Sequence, residues 1–146
     1  MADRSFWSTL RIFRYSLVLI LFPFVHYSGF LATDADKADA LQLANTFHAQ
    51  MTHGDSDGIY DDADKAFQNA VSRDHHDAYL ASIASHWGTP LDCTPSNIGV
   101  RFGFGSKMMS AECSTRFSNG YTALEKFRWK KTDNVYHLYY YAFHSK

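Results

Sequence analysis

The chain has little of what most catalytic and metal sites are built from. Its 146 residues include two cysteines, Cys93 and Cys113, with no C-x-x-C pair, which disfavours a zinc or thiol-redox centre. No serine stands in a G-x-S-x-G elbow, and the eight glycines form neither a P-loop nor a dinucleotide-binding set. Nucleophilic hydrolysis and nucleotide binding are therefore disfavoured. Neither sign of charge dominates, with 14 Lys/Arg against 15 Asp/Glu, too even a balance to argue for a nucleic-acid partner. Internal repeats, low-complexity runs and flexible linkers are missing as well. No cofactor is implied, and no assembled catalytic set is present.

What stands out instead is the apolar block Tyr15 to Ala32, preceded by Arg4, Arg11 and Arg14 and followed by the acidic sequence that starts at Asp34. A basic start, an apolar core and a polar switch together make an export signal. The strongest part, Leu17 to Val25, has the length of a signal-peptide core, and the wider block includes Pro23, His26, Ser28 and Gly29. Residues 1–33 are thus read as a cleaved signal peptide or a single-pass membrane anchor, and both stay open; Thr33-Asp34-Ala35 is a weak small-x-small cleavage site. The arginines keep the N-terminus cytoplasmic. The body, 34–146, is then exported, either periplasmic or held at the inner membrane with the domain outside. In such a compartment Cys93 and Cys113 are expected to form a disulfide.

Residues 34–146 suffice for one domain. Their charge is polarised: residues 34–77 carry ten acids and three bases, whereas 78–146 carry four acids and eight bases. The first half reads as helical. Thr33 to Asp36 resembles a capping box, and Ala38, Leu41, Ala44, Phe47 and Met51 recur at helical steps until Gly54. Short helices are expected around Ile59–Asp62 and Asp64–Val71. Ser72 caps a further helix whose shared face holds His76, Tyr79, Leu80, Ile83 and Trp87, ended by Gly88 and Pro90.

From Leu91 the period becomes two. Ile98, Val100, Phe102 and Phe104 alternate with polar or small residues, as do Met109, Ala111, Cys113, Thr115 and Phe117. A three-residue loop at Ser118-Asn119-Gly120 sets Thr115 opposite Ala123, Cys113 opposite Glu125 and Met109 opposite Trp129, keeping apolar faces together. A second turn centred on Asp133-Asn134 sets Trp129 opposite Leu138 and Phe127 opposite Tyr140. The expected architecture is α+β: about three helices packed on one face of a curved four-stranded antiparallel meander, forming a cone.

Four stretches carry a resemblance: Phe47 to Tyr60 (FHAQMTHGDSDGIY), Leu80 to Pro90 (LASIASHWGTP), Phe117 to Glu125 (FSNGYTALE) and the aromatic strand Val135 to Tyr141. Their order resembles the nuclear transport factor 2-like (cystatin-like) fold, and more narrowly small exported bacterial domains of unknown function. That likeness implies no established activity. Enzymes of the fold that isomerise or dehydrate small molecules hold an acid, a tyrosine and sometimes a histidine in the cone. By that resemblance Glu125 is the acid, with Tyr121, Tyr140 and His137 as ligand-binding companions. The competing structural reading is a buried glutamate that ties the sheet to the helices.

Other clusters have plainer readings. His53-x-Asp55-x-Asp57-Gly58-x-x-Asp61-x-x-Asp64 partly matches a calcium loop, but histidine replaces the first oxygen ligand, and aspartates at helix starts serve equally as caps. In Asp74-His75-His76-Asp77 the two histidines point about 100° apart on a helix, so His76 packs inward while His75 is solvated. His48 and His53 do not share a face. Arg101, Lys126, Arg128, Lys130 and Lys131 form a basic outer face of the sheet. The function expected is a non-enzymatic envelope domain binding a partner protein or a small apolar ligand. The alternative is an isomerase- or dehydratase-like enzyme using Glu125.

Overall fold

A computed structural model describes residues 30–103 and 105–145, with the backbone alone for Phe30. The leader expected over 1–33 lies outside the described residues apart from its last four, as does Phe104 of the strand alternation. The chain is α+β. Strand β1 (Phe30–Leu31) precedes four helices, α1 (Asp34–His53), α2 (Ser56–Asp61), α3 (Lys65–Ala70) and α4 (Arg73–Trp87). Four long strands follow: β2 (Pro90–Gly103), β3 (Ser106–Phe117), β4 (Thr122–Thr132) and β5 (Val135–Ser145). They form an open antiparallel meander in the order β1-β2-β3-β4-β5. No helix among the described residues is long and apolar enough to cross a membrane.

Each helix start is set by a short polar side chain that accepts from an otherwise unpaired backbone N–H. Thr33 and Asp36 close a capping box on α1, Asp55 caps α2, Asp64 caps α3 and Ser72 caps α4. The acids of the calcium-like stretch are therefore occupied in folding: Asp55 and Asp64 as caps, Asp57 and Asp61 as partners of the Arg73 guanidinium. Gly54, at φ 70°, ends α1 in the left-handed region that other residues avoid.

On α1 the buried side chains are Asp36, Ala40, Ala44, Phe47 and His48. This differs from the expected stripe, since Ala38 and Leu41 face solvent. The reason is that Asp36 and His48, two polar residues, belong to the inner face; apolar periodicity selects Leu41 in their place. The small side chains of Ala40 and Ala44 bring α1 close to the sheet. On α4, His76, Leu80 and Ile83 of the expected face are buried and Trp87 is half-buried, whereas Tyr79 lies at the exposed edge and His75 faces solvent.

In the sheet, Met109, Ala111, Cys113, Thr115 and Phe117 of β3 and Ala123, Glu125, Phe127 and Trp129 of β4 all point inward and are buried. The hairpin register is the expected one, with Thr115 opposite Ala123, Cys113 opposite Glu125 and Met109 opposite Trp129. The three-residue loop closes with Phe117 N–H donating to the Tyr121 carbonyl at 2.8 Å, and Gly120 takes φ 84°. At the second turn Asp133 and Asn134 have φ 50° and 65°, the paired positive values of a two-residue hairpin turn.

Beyond that turn one register differs from expectation. Trp129 faces Leu138, but Phe127 faces Tyr141 rather than Tyr140, because a bulge between Arg128 and Trp129 leaves Tyr139 as an extra residue on β5. One added residue reverses the face of every side chain beyond it. Tyr141 and Phe143 consequently pack against the core, while Tyr140 and His144 face outward. In a regular strand His144 would lie inside and Phe143 in water.

Cys93 and Cys113 form a disulfide between β2 and β3, with Cα atoms 5.4 Å apart. Closing a loop of this length stabilises a fold by roughly 3 kcal/mol in the chain-entropy treatment. A second tie lies at the start of α1, where the buried Asp36 carboxylate accepts from Lys107 of β3 and from Thr33.

The hydrogen bond from Lys107, followed by those from Thr33, lowers the Asp36 pKa from 3.8 to about 2. A value lowered by folding adds stability that is fully present above 3.8 and is lost as pH falls through about 2. Chemical denaturation of wild type should therefore show a loss of about 2 kcal/mol across that window. Asp36→Asn should lack the loss, being destabilised by a similar amount already at neutral pH. An unchanged acid response in the variant would remove Asp36 from this role.

Candidate functional site

Glu125 lies near the middle of β4, where strand alternation directs it into the space between sheet and helices. It is 0% exposed. A carboxylate in such a place costs several kcal/mol unless donors replace its water, and three side chains do so. The Thr115 hydroxyl of β3 donates to Oε2, the Tyr141 hydroxyl of β5 donates to Oε1 at 2.6 Å, and His48 Nε2 of α1 lies 2.7 Å from Oε2. An ionised carboxylate only accepts, so Nε2 carries the hydrogen in that contact.

Each partner reaches Glu125 for a local reason. Thr115 and Tyr141 stand diagonally to it on the two flanking strands, within the reach of long cross-strand pairs. Tyr141 arrives on this face through the bulge at Tyr139. His48 follows Phe47 on α1, and its ring sits 6.0 Å from Phe127. Phe47 packs against Phe127 at 5.2 Å and Tyr141 at 4.6 Å, so aromatic carbon encloses the polar cluster. Burial, and secondarily the neighbouring Glu125 charge, raises the Tyr141 pKa well above the ordinary phenol value. Tyr79 of α4 is raised too, chiefly by burial, and its hydroxyl accepts from Phe143 N–H at 3.1 Å.

The residues expected as companions of Glu125 lie elsewhere. Tyr121 is 56% exposed and packs edge-on against Trp87 at 5.0 Å. Tyr140 is 41% exposed on the opposite face of the sheet, under the Arg128 guanidinium. His137 bonds the Asp62 carbonyl through Nδ1 at 2.9 Å, fastening β5 to the end of α2. None of the three hydrogen-bonds Glu125. The displacement of Tyr140 follows from the one-residue bulge, and that of His137 from its position before the bulge. His48 had a usable signal: it is the one ionisable residue in the middle of α1 that lies next to Phe47 and one turn after Ala44.

Chemically, the cluster is closed. All four hydrogen-bonding side chains are engaged with one another, and none of the five main clefts among the described residues is lined by Glu125, His48, Thr115 or Tyr141. Around Glu125 the space between sheet and helices is filled by Phe47, Phe127 and Tyr141. No described group of three or more His, Cys, Asp or Glu residues is arranged to hold a metal ion.

The fold and site together define an α+β domain with an open meander and a sealed polar centre. Known protein families and curated proteins contain no match to the chain.

The bulge and the network can be tested together. Tyr141→Phe should cost about 1–2 kcal/mol in urea unfolding, as a lost buried hydrogen bond to a charged acceptor. Tyr140→Phe should cost less than about 0.5 kcal/mol, as a surface change. Glu125→Ala should cost about 3–5 kcal/mol. Equal costs for the two tyrosines would contradict the bulged register of β5.

Proposed function

We propose that this chain is a non-enzymatic exported domain of the cell envelope that recognises a partner protein through its surface. The observation that carries this reading is the sealed state of Glu125. Both carboxylate oxygens are already engaged, Oε2 by Thr115 and His48 and Oε1 by Tyr141, and the group is 0% exposed. A small apolar ligand would need an empty chamber between sheet and helices, where Phe47, Phe127, Trp129 and Tyr141 now pack. Recognition by the outer surface is what this arrangement favours. The same observation disfavours the isomerase or dehydratase reading, in which Glu125 would face a substrate.

Export is supported by the basic and apolar leader and by the Cys93–Cys113 bridge, since such bonds persist in oxidising compartments. The N-terminal segment is either removed or retained as the membrane anchor. Thr33 caps α1, and Phe30–Leu31 pairs with β2. A mature chain cut after Ala35 would lose both features, which favours cleavage further upstream or retention. The likeness of the helix-then-meander order to nuclear transport factor 2-like domains belongs to this proposal as well, and that fold serves binding domains as readily as enzymes.

The test is affinity capture from solubilised envelopes with the full chain, read by mass spectrometry. Wild type and Glu125→Gln, the latter checked for folding by circular dichroism, should recover the same partner within about twofold, a difference well under 1 kcal/mol. Native mass spectrometry should show no copurified small molecule. Loss of partner with a folded Glu125→Gln protein, or a stoichiometric bound small molecule, would overturn the reading.

A further inference from the structure

The face of the sheet turned away from the helices holds a groove of about 500 Å³, within the range of specific binding sites. It runs across β2, β3, β4 and β5, between Arg101 on β2 and Arg128 with Tyr140 on the far side, over Ser110 and Met108 of β3. Its depth depends on Gly99. This residue stands opposite Ser110 in the register, and a Cβ placed on it would lie 3.0 Å from the Ser110 hydroxyl. Any larger residue would fill the floor.

The charges around the groove are not equivalent. Lys126 pairs with Glu112 at 3.2 Å, and Lys130 pairs with Asp64 at 3.3 Å. The two arginines have no carboxylate partner among the described residues. Arg128 is held over the Tyr140 ring, 5.3 Å from its centroid, which fixes the guanidinium without neutralising it. Arg101 stands at the other rim. The cationic half of the chain thus keeps these lysines satisfied and leaves two planar, bidentate-capable groups open on one recess.

We propose that this groove binds an acidic segment of a partner protein, whose carboxylates bridge Arg101 and Arg128 while its chain lies over Gly99 and Ser110. The inference rests on the partner-protein reading above and names the chemistry of that partner. Arg101 and Arg128 are two strands apart and offset by two residues along them, roughly 12 Å between Cα atoms at ordinary strand geometry, so one carboxylate does not serve both. Two acidic side chains of one segment do, each as a forked Arg–carboxylate pair. The Met108 and Tyr140 side chains supply apolar contact to such a segment. A lipid surface fits less well, because a headgroup plane would rest on the protruding rim and gain nothing from the floor at Gly99.

The test uses the purified full chain with fluorescein-labelled octaglutamate and, as control, octaglutamine, read by fluorescence anisotropy at low and high salt. Wild type should bind octaglutamate in a salt-sensitive way and ignore octaglutamine. Arg101→Gln/Arg128→Gln should weaken binding tenfold or more, and Gly99→Val by a similar factor with unchanged circular dichroism. Lys126→Gln/Lys130→Gln should change it less than threefold. Undiminished binding by the double arginine variant would overturn the proposal, as would phosphatidylglycerol vesicles that bind wild type and Gly99→Val equally and displace the peptide. If capture from envelopes recovers a partner that the arginine variant holds as well as wild type, the groove assignment falls and the partner-protein reading stands. If no partner is recovered by any form, that reading falls.

Discussion

A buried carboxylate with three donors from three different elements constrains the rest of this domain. Glu125 cannot be left in the core without partners, because the cost of an unpaired buried charge is comparable to a large share of a small domain's total stability. Thr115 brings β3 to it, Tyr141 brings β5 and His48 brings α1. The network therefore fixes the position of the longest helix along the sheet as well as the register of the last hairpin. Asp36 and Lys107 repeat the device at the start of the same helix. With two buried polar ties and small Ala40 and Ala44 between them, α1 has little freedom to slide or rotate.

The bulge on β5 belongs to the same constraint. A regular strand would present Tyr140 and His144 to the core and leave Tyr141 and Phe143 in water. The extra residue at Tyr139 exchanges them. It gives Glu125 a phenol donor and gives Trp87 and Phe117 an aromatic partner in Phe143, at 5.0 and 5.6 Å. The gain is several well-packed aromatic contacts, set against one interrupted rung of the β4–β5 ladder.

The proposed recognition rests on the outer surface because the inner aromatic side chains pack around Glu125. The inner acid is satisfied internally, and six acids of the helical half have structural partners: Asp36, Asp55 and Asp64 as caps, Asp34 with Lys37, and Asp57 and Asp61 with Arg73. The uneven charge along the chain thus has a largely structural use in its acidic part. The basic part differs: Lys107, Lys126 and Lys130 find carboxylates, but the arginines flanking the groove on the outer sheet face find none among the described residues. An arrangement of this kind uses charge for specificity and encounter more than for stability.

Much of the fold was legible in the residues. Cap residues before each helix act locally, so Thr33, Asp64 and Ser72 could be placed without knowledge of the tertiary contacts. Face matching fixed the first hairpin register through Gly120, and the two cysteines, once on adjacent strands, formed the bridge. The companions of Glu125 were not legible. Apolar periodicity cannot assign a histidine or an aspartate to an inner face, so it selects Leu41 and Ala38 instead of His48 and Asp36. Nor does any local propensity mark which of three successive tyrosines is the bulged one.

What the amino-acid order determined alone was the type and order of the main elements and the caps and turns that end most of them, because these act over a few residues; the pairing of Phe30–Leu31 with β2 was not among them. Which polar groups meet in the core, and which arginines lie without a carboxylate among the described residues, was decided only when helix and strands packed. Those outcomes depend on distances between residues far apart in the chain, such as His48 and Glu125, that no short window of sequence contains.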